Sequence, residues 1–346
     1  MNIKSISLDR DKHFRSLGNS GLSVSNICLG TMMFGDRTDR PHSVEIISSA
    51  RETGLNFIDT ADVYNEGRSE EIVGEAIKGD RDHWILATKV ANQMQSDPQK
   101  KGLSRRWIMQ AVEDSLARLK TDFIDIYYLH HEDHSTPLLE TVQAMGDLIR
   151  SGKIRYFGLS NYRGWRIAEI CRFCDQLSIP RPVVCQPYYN ALNRQPEVEV
   201  LPSSDYYGLG VVPYSPLARG VLTGKYIPNV LPDKNSRAGA ADSRMMETEW
   251  RPDSLEIVQR IKLHCEKRGH SPIGFAIGWL LANKYVSSIL AGPRTLEQFH
   301  GYLSALSYPY DAEDEALLNG LVAPGHASTP GYSDPRYPLE GRKIHL

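Results

Sequence analysis

The chain has 346 residues, of which 41% are hydrophobic and 24% charged, as is typical of a globular protein. Its net charge of −2 argues against partners such as nucleic acid or an anionic membrane, which attract strongly basic proteins. No apolar run approaches the ~18 residues of a membrane-spanning helix, and the polar start MNIKSISLDRDKHF has no signal-peptide core, so we expect a cytoplasmic protein.

The first predicted element is a β-hairpin. The stretch FRSLGNSGLSV, residues 14–24, alternates apolar and polar residues around Asn-Ser-Gly, which is typical of a tight turn between two strands. In a closed barrel such a hairpin could cover the bottom, where the strands begin.

Eight short apolar runs follow, and nearly all are separated by stretches with the apolar spacing of amphipathic helices. The predicted strands are NICLGT (26–31), FIDTA (57–61), WILATKV (84–90), IDIYYLH (124–130), RYFGLS (155–160), VVCQPYYN (183–190), GLGVVPYS (208–215) and VSSILAG (286–292). Helices are predicted from near Pro41, in GRSEEIVGEAIKG, from a cap at Ser104 to about Lys120, in TPLLETVQAMGDLIRSGK, over Trp165–Leu177, near 197–207, in SLEIVQRIKLHCEKRG and in TLEQFHGYLSAL.

The predicted helix over Trp165–Leu177 carries Cys171 and Cys174 in a C-x-x-C pattern. A redox pair of this kind needs the N-terminus of a helix, where the dipole lowers the pKa of a thiol. Because both residues lie in the middle of the helix, we interpret them as thiols of the core or of the helix surface. The total of five cysteines, an odd number, does not suggest a disulfide framework.

Strands joined by helices predict a parallel α/β sheet, either doubly wound or closed into a (β/α)8 TIM barrel. Eight units, no GxGxxG motif and no break in composition favour the barrel, with an N-terminal β-hairpin and an extended C-terminal tail. We predict a single domain over residues 1–346, with the barrel at about 14–306 and a loop or tail at about 307–346.

Polar residues stand at the ends of most predicted strands. They are Asp59 on the second strand, Lys89 on the third, His130 on the fourth, Ser160 and Asn161 on the fifth, Gln186 within the sixth, and Tyr214 and Ser215 on the seventh. In a barrel these C-terminal ends meet at one rim, where active sites are built. Each residue alone could be a solvated or structural polar group, but together they predict a site.

Asp59, Tyr64, Lys89 and His130 have side chains that could work as one device. A phenol has a pKa near ~10, and a lysine ammonium beside it favours the phenolate and so eases release of the proton. A buried ammonium needs a counter-charge, which Asp59 would supply. Because a histidine can position a carbonyl oxygen against the phenol, the four residues predict protonation of a carbonyl group while another group delivers hydride.

An ordered series of motifs covers most of the chain, from about Phe14 to about Leu306. The motifs are FRSLGNSGLSVSNICLGTMMFG, NFIDTADVYNEGRSEEIVGEAIK, ATKV, DFIDIYYLHHEDHSTPLLET, SGKIRYFGLSNY, PYYN, PYSPLARGVLTGKY and GPRTLEQF. On these motifs the chain resembles an aldo-keto reductase. The pattern is most similar to the branch that contains potassium-channel β-subunits and bacterial sugar or aldehyde reductases.

The resemblance implies a (β/α)8 fold, NADP(H) bound without a Rossmann domain, and a catalytic tetrad of Asp59, Tyr64, Lys89 and His130 with Tyr64 as the general acid. It places Ser160, Asn161 and Gln186 against the nicotinamide carboxamide and Tyr214 on the ring. The remaining implied cofactor contacts are Ser215, Leu217, Arg219, Gly220, Lys225 and Arg237 at the pyrophosphate, Arg294 and Gln298 at the adenosine end, and Thr31, Met32, Asp59, Gly292 and Tyr302.

The adenosine end departs from the family pattern. Relatives commonly carry a Glu-Asn pair that binds the adenine amino group, and Gly301 and Tyr302 stand at those places here. Glycine cannot make this contact, and Tyr302 could either stack on the base or pack against a neighbour. The planar guanidinium of Arg294 suits a 2′-phosphate, so the resemblance implies a preference for NADPH over NADH.

The implied activity is NADPH-dependent reduction of a small aldehyde, ketone or oxidised sugar, and the alternative is an NADP(H)-binding regulatory or redox-sensing subunit with little turnover.

A metal-dependent hydrolase is suggested by His130, His131, Asp133 and His134, but these residues share one loop, whereas a metal site in a barrel would draw ligands from several strands. We therefore expect no metal. The substrate, the direction of the reaction, the formation of a homo-oligomer and the role of the tail HASTPGYSDPRYPLEGRKIHL stay open. The tail is a candidate for closing the substrate pocket or contacting a neighbouring subunit.

Overall fold

The computed structural model describes residues 7–94, 96–234 and 236–338. The chain divides into two compact units. The first consists of Met1–Pro187, Glu199–Tyr214 and Asn283–Leu303. The second consists of Tyr188–Val198, Ser215–Ala282 and Ser304–Leu346. The single domain over residues 1–346 stays a prediction.

Ten β-strands are found among the described residues. They are β1 (Phe14–Ser16), β2 (Ser23–Ser25), β3 (Ile27–Gly30), β4 (Phe57–Asp59), β5 (Ile85–Val90), β6 (Ile124–Leu129), β7 (Ile154–Ser160), β8 (Val184–Gln186), β9 (Gly210–Val211) and β10 (Ile289–Ala291). Strands β3 to β10 form one parallel sheet in the order β10-β3-β4-β5-β6-β7-β8-β9. All eight strands predicted from the sequence are confirmed.

The eight-stranded sheet closes on itself. Val211 of β9 forms a parallel bridge with Val286, just before β10, and the backbone N–H of Leu290 donates to the carbonyl oxygen of Pro213 at 3.0 Å. These contacts join β9 to β10, the two strands at the ends of this order, by parallel pairing like that between the other neighbouring strands. The fold is therefore the predicted (β/α)8 barrel, and the C-terminal ends of its strands lie on one rim.

Helices alternate with the barrel strands along the chain. They are α1 (Arg10–His13), α2 (Arg40–Glu52), α3 (Arg68–Ile77), α4 (Arg105–Leu119), α5 (Leu138–Arg150), α6 (Gly164–Leu177), α7 (Val200–Tyr207), α8 (Ser243–Thr248), α9 (Pro252–Lys267), α10 (Pro272–Ala282), α11 (Leu296–Ala305) and α12 (Ala312–Leu321). The predicted cap is confirmed, because the Ser104 hydroxyl accepts a hydrogen bond from the N–H of Trp107 at the start of α4. No helix among the described residues is both long and apolar enough to cross a bilayer.

The predicted hairpin is present and covers the end of the barrel where the strands begin. Strands β1 and β2 pair in antiparallel fashion, and the side chains of Leu17 and Val24 are fully buried within the apolar core of the barrel. Gly18 has φ +53°, and a Cβ atom there would come within 2.6 Å of the backbone of Val183, Gly208 and Gly210. Only glycine permits this close approach to the backbone at and just before the starts of β8 and β9.

The two cysteines of the C-x-x-C pattern are free and buried in the middle of α6. Burial raises the pKa of Cys171 and of Cys174 to about 12, the reverse of the shift that makes a thiol reactive. The structure thus agrees with their interpretation as core thiols.

The described part of the C-terminal tail is held by residues of its own unit. The backbone N–H of Ser328 donates to the carbonyl oxygen of Leu192 at 2.8 Å, and the guanidinium of Arg251 donates to the Ser328 hydroxyl at 3.0 Å. Further along, Arg244 and Asp334 form a two-point ion pair, with 2.7 Å between Nη1 and Oδ1. Residues 339–346, the end of the predicted tail, lie outside the described residues.

Candidate active site

The predicted catalytic residues of strands β4 to β6 lie side by side at the C-terminal rim of the barrel. Asp59 is the last residue of β4, Lys89 is the last but one of β5, and His130 directly follows β6. Asp59 pairs in register with Ala87, and Lys89 pairs with Tyr128. The parallel pairing thus brings together side chains that are about 30 to 70 positions apart in the sequence.

Lys89 is the centre of this group. Its side chain and that of Asp59 are both 0% exposed, and the two form an ion pair through Nζ and Oδ1. Nζ also donates to the carbonyl oxygen of Thr60 at 2.7 Å and lies 3.5 Å from the hydroxyl oxygen of Tyr64. The ammonium therefore stands between a carboxylate and a phenol, as the sequence predicts.

Burial and charge act in opposite directions on this ion pair. Burial by itself would lower the pKa of Lys89, but the negative charge of Asp59 raises it above its ordinary value, so the ammonium is retained. Burial raises the pKa of Asp59, and Lys89 and Gln186 oppose this rise. Each charge is thus maintained by the other inside the barrel.

Asp59 is also held by residues at the ends of two other strands, the neighbouring β3 and the non-adjacent β8. The Gln186 amide, at the end of β8, donates to the second carboxylate oxygen at 3.0 Å. The Thr31 hydroxyl donates to the backbone carbonyl of Asp59 at 3.0 Å. These contacts fix the direction of the carboxylate and satisfy the oxygen that Lys89 leaves free.

Tyr64 projects from a strained turn that follows β4. The next two residues, Asn65 and Glu66, have φ values of +52° and +58°. The Asn65 amide donates to the carbonyl oxygens of Met32 and Phe34, at 3.1 and 2.7 Å, and so ties the turn to the loop after β3. The turn presents the Tyr64 hydroxyl to Lys89.

His130 stands on the other side of Tyr64. The two ring centroids are 6.0 Å apart and the rings are nearly perpendicular, at 81°. Burial lowers the pKa of His130 well below its usual value, and the nearby charges of Lys89 and His131 lower it further. The imidazole is therefore neutral near pH 7.

The residues predicted to hold the nicotinamide carboxamide are also brought together at the rim. The Ser160 hydroxyl donates to the backbone carbonyl of Gln186 at 2.9 Å. Asn161, at φ +59°, accepts from the Tyr214 hydroxyl at 2.9 Å and donates to the backbone carbonyl of His130 at 3.0 Å. These polar groups form one continuous network with the tetrad.

The residues predicted for the adenosine end lie at and before α11. The backbone carbonyl oxygen of Arg294 accepts a hydrogen bond from the Thr38 hydroxyl at 3.0 Å. The backbone N–H of Arg294 donates to the side-chain oxygen of Gln298 at 2.9 Å. Gly292 and Gln298 are exposed, as is Met32 after β3, and Arg294 is half-buried. Tyr302 is only 8% exposed, whereas a Cβ at Gly301 would meet nothing within 4 Å.

The residues predicted for the pyrophosphate belong to the second unit, where they start a loop with unusual backbone geometry. Ser215, Ala218, Arg219 and Gly220 have φ values of +57°, +47°, +51° and +98°. Such turns can present successive N–H groups as a concave anion site. The buried Nε of Arg219 has no hydrogen-bond partner among the described residues, so this loop carries a donor available to a ligand.

The other predicted residues of this loop differ in exposure. Leu217 is half-buried and accepts, through its carbonyl oxygen, a hydrogen bond from the N–H of Gly220 at 2.8 Å. Lys225 is exposed, and its Nζ lies 3.6 Å from where a Cβ of Gly220 would be. Nε of Arg237 lies 3.8 Å from a carboxylate oxygen of Asp242.

One polar contact to the tetrad was missed by the sequence reasoning. The side-chain amide nitrogen of Asn92 lies 2.9 Å from Nδ1 of His130. The available signal was a polar residue just beyond the third strand, three positions after Lys89 in KVANQM. Within the described residues, no group of three or more His, Cys, Asp or Glu side chains is arranged to hold a metal ion.

Comparison with known proteins gives a consistent result. The model of the aldo/keto reductase family matches residues 26–323. The uncharacterized oxidoreductase YrpG of Bacillus subtilis is 37% identical over 331 residues, which covers 91% of this chain and 97% of that protein. A probable voltage-gated potassium channel subunit beta of Oryza sativa is 36% identical, covering 85% and 90%. An L-glyceraldehyde 3-phosphate reductase of Escherichia coli K12 is 30% identical, covering 90% and 93%.

Proposed function

This chain belongs to the aldo/keto reductase family, and we propose that it is an NADP(H)-dependent reductase of a small aldehyde, ketone or oxidised sugar, with Tyr64 as the general acid. The observation that carries the proposal is the position of Lys89 between Asp59 and the Tyr64 hydroxyl. A fully buried ion pair beside a phenol, with pKa values shifted by burial and by neighbouring charges, is typical of a functional site.

Tyr64 gives its proton to the carbonyl oxygen of the substrate. As the proton leaves, negative charge develops on the phenol oxygen, and the ammonium of Lys89 at 3.5 Å stabilises it. Asp59 keeps that ammonium charged inside the barrel. Acid assistance of this kind contributes about 10²–10⁴-fold to a rate.

His130 orients the substrate. Its imidazole is neutral and perpendicular to the Tyr64 ring, so it does not add a second positive charge beside Lys89. A neutral imidazole can donate one hydrogen bond to a carbonyl oxygen that Tyr64 also reaches. Two donors on one oxygen fix the carbonyl group in the orientation needed for reduction.

Each of the two units carries residues that fit a part of a phosphate-bearing dinucleotide. The first unit carries the half-buried Arg294, whose guanidinium suits a 2′-phosphate. The network of Ser160, Asn161 and Gln186 offers amide and hydroxyl groups to a carboxamide. The second unit carries the left-handed turn with the unpartnered Nε of Arg219. When bound, the cofactor supplies hydride to the carbonyl carbon.

The alternative is an NADP(H)-binding regulatory subunit with little turnover. It takes support from the similarity to proteins named as potassium channel subunits beta. Against it stands the complete set of Asp59, Tyr64, Lys89 and His130 in contact with one another. We therefore favour turnover.

The test is oxidation of NADPH, followed by absorbance, with a panel of simple aldehydes, ketones, pyridoxal and oxidised sugars. We expect saturable turnover with at least one class of carbonyl compound and none with the matching alcohol. Tight NADPH binding without turnover of any compound would instead support the regulatory subunit. Absence of NADP(H) binding would refute both.

A further inference from the structure

The loop that follows β5 begins with a strained residue. Ala91 has φ +141°, a conformation that residues with a side chain rarely adopt. The N–H of Gly102 donates to the Ala91 carbonyl at 2.8 Å, which closes the loop. The next N–H, of Leu103, donates to the Asp133 carboxylate at 2.8 Å and ties the loop to the segment after β6. Strain of this kind persists where the surroundings enforce it and is frequent at functional sites.

The strained turn directs the side chain of Asn92 to His130. The amide nitrogen of Asn92 lies 2.9 Å from Nδ1 of the imidazole. An amide nitrogen can only donate, so Nδ1 must be the acceptor and must carry no proton. The single proton of the neutral ring is then on Nε2.

The rest of His130 is fixed by its backbone. Its N–H donates to the Val90 carbonyl at 2.9 Å, and its carbonyl oxygen accepts from Asn161 at 3.0 Å. Among the residues that the structure describes, none is hydrogen-bonded to Nε2. The charged and titratable groups facing the ring are Lys89, Tyr64 and His131. Nε2 is thus the ring nitrogen left for a ligand.

We propose that Asn92 is a positioning residue that holds His130 in the Nε2–H tautomer, so that the imidazole donates a hydrogen bond to the substrate carbonyl oxygen beside Tyr64. The inference rests on the proposed function for its catalytic consequence, because the carbonyl oxygen accepts both hydrogen bonds. The tautomer itself depends only on the contact between Asn92 and His130. With the other tautomer, Nε2 would carry a lone pair and would repel that oxygen.

The test replaces the donor Asn92 by a side chain of the same size that can only accept a hydrogen bond from Nδ1 of His130. In Asn92→Asp the carboxylate can only accept, so Nδ1 should take the proton and Nε2 should lose it. Asn92→Leu removes the polar contact, and Gln93→Ala, at the exposed neighbouring position, is the matched control. Protein labelled with 15N-histidine reports the tautomer by NMR, and the His130→Gln spectrum assigns the resonances.

We expect the wild-type protein to show a protonated Nε2 and an unprotonated Nδ1 on His130, and Asn92→Asp to show the reverse. We also expect Asn92→Asp and Asn92→Leu to lower kcat for carbonyl reduction by about 10²-fold, the usual effect of losing one donor to the reacting oxygen. Their affinity for NADPH should stay within about two-fold of wild type. Gln93→Ala should change neither the tautomer nor kcat.

A wild-type His130 that carries its proton on Nδ1 would overturn the proposal, and this measurement needs neither a variant nor turnover. At a pH where the His130 ring carries a single proton, an Asn92→Asp variant that keeps this proton on Nε2, or one with unchanged kcat, would also overturn it. A wild-type protein that shows Nε2–H but reduces no carbonyl compound would refute the proposed function, and with it the catalytic role, while leaving the assignment of the tautomer intact.

Discussion

Replacing Asp59 by Asn should make folding stability depend on pH in a way that the wild type does not. The substitution keeps the size of the side chain and removes the counter-charge of Lys89, which is 0% exposed. Burial, the largest influence on the pKa of Lys89, then lowers it against the weaker opposition of Tyr64 and Cys28. The lysine must either remain as an unpaired buried cation or release its proton on folding.

Release of the Lys89 proton on folding sets the size of the expected loss in the free energy of unfolding. A lysine that titrates near ~10.4 in the unfolded chain costs about 4.6 kcal/mol to deprotonate at pH 7, because each pH unit is worth about 1.36 kcal/mol. This agrees with the roughly 3–5 kcal/mol lost when one partner of a buried pair is removed. The folded pKa then lies below the unfolded pKa, so the unfolded state binds more protons. The stability of the variant should therefore rise by about 1.4 kcal/mol for each pH unit between 7 and 9.

Urea unfolding at pH 7, 8 and 9, followed by tryptophan fluorescence, measures this effect. The wild-type pair stays ionised over this range, so the gap between wild type and Asp59→Asn should narrow as pH rises. Asp175→Asn, which breaks the exposed ion pair with Arg181, is the control and should leave the urea midpoint nearly unchanged at every pH. Adding Lys89→Met to Asp59→Asn should recover stability and remove the pH dependence, although the double variant should be inactive. A gap below about 1 kcal/mol at pH 7 would show that the pair is not buried as described.

Three further predictions concern Tyr64, Arg294 and His130. Tyr64→Phe should lower carbonyl reduction by about 10²–10⁴-fold while NADPH, titrated by fluorescence, still binds; turnover within a few-fold of wild type would exclude Tyr64 as the acid. Arg294→Ala should weaken NADPH much more than NADH, and equal losses would remove the 2′-phosphate assignment. The pKa of His130 is lowered by folding, so its contribution to stability is complete above the unfolded value of about 6.5 and is lost as pH falls towards the folded value. His130→Gln should therefore lose less stability than wild type between pH 7 and 5, and identical urea titrations would contradict the shift.

The barrel could be predicted because its strands are buried on both faces and because their apolar residues give way abruptly to polar residues at the C-terminal rim. In FIDTA, for example, the apolar Phe57 and Ile58 are followed by the carboxylate of Asp59 at the residue where the strand ends. Four helices were not predicted: the short α1 and α8, and the longer α10 and α12. The sequence of α10, PIGFAIGWLLA, is apolar on every side and has no periodic signal, and α12 is a ten-residue helix recognised chiefly by the capping box of Asp311 and Asp314.

The proximity of Asp59, Tyr64, Lys89 and His130 could be predicted because three of them lie at or directly beside a strand end and Tyr64 lies in the loop that follows β4. Asn92 could not, since its contact with His130 depends on the strained φ of Ala91 and on two loops that meet only in the folded chain. Gln186 shows a similar limit. The sequence places it at the rim, but the donation of its amide to Asp59 depends on the side-chain conformation.

The raised pKa of the buried thiols has a consequence for chemical durability. Aldehydes are electrophiles that thiolates attack, and a protein that handles aldehydes risks slow covalent damage to itself. All five cysteines here are buried, and burial raises the pKa of each, to about 11 for Cys265 and to about 12 for Cys171, Cys174 and Cys185. Because the thiolate is the nucleophile, the folded chain offers electrophiles almost no reactive sulfur, and its thiols become vulnerable only on unfolding.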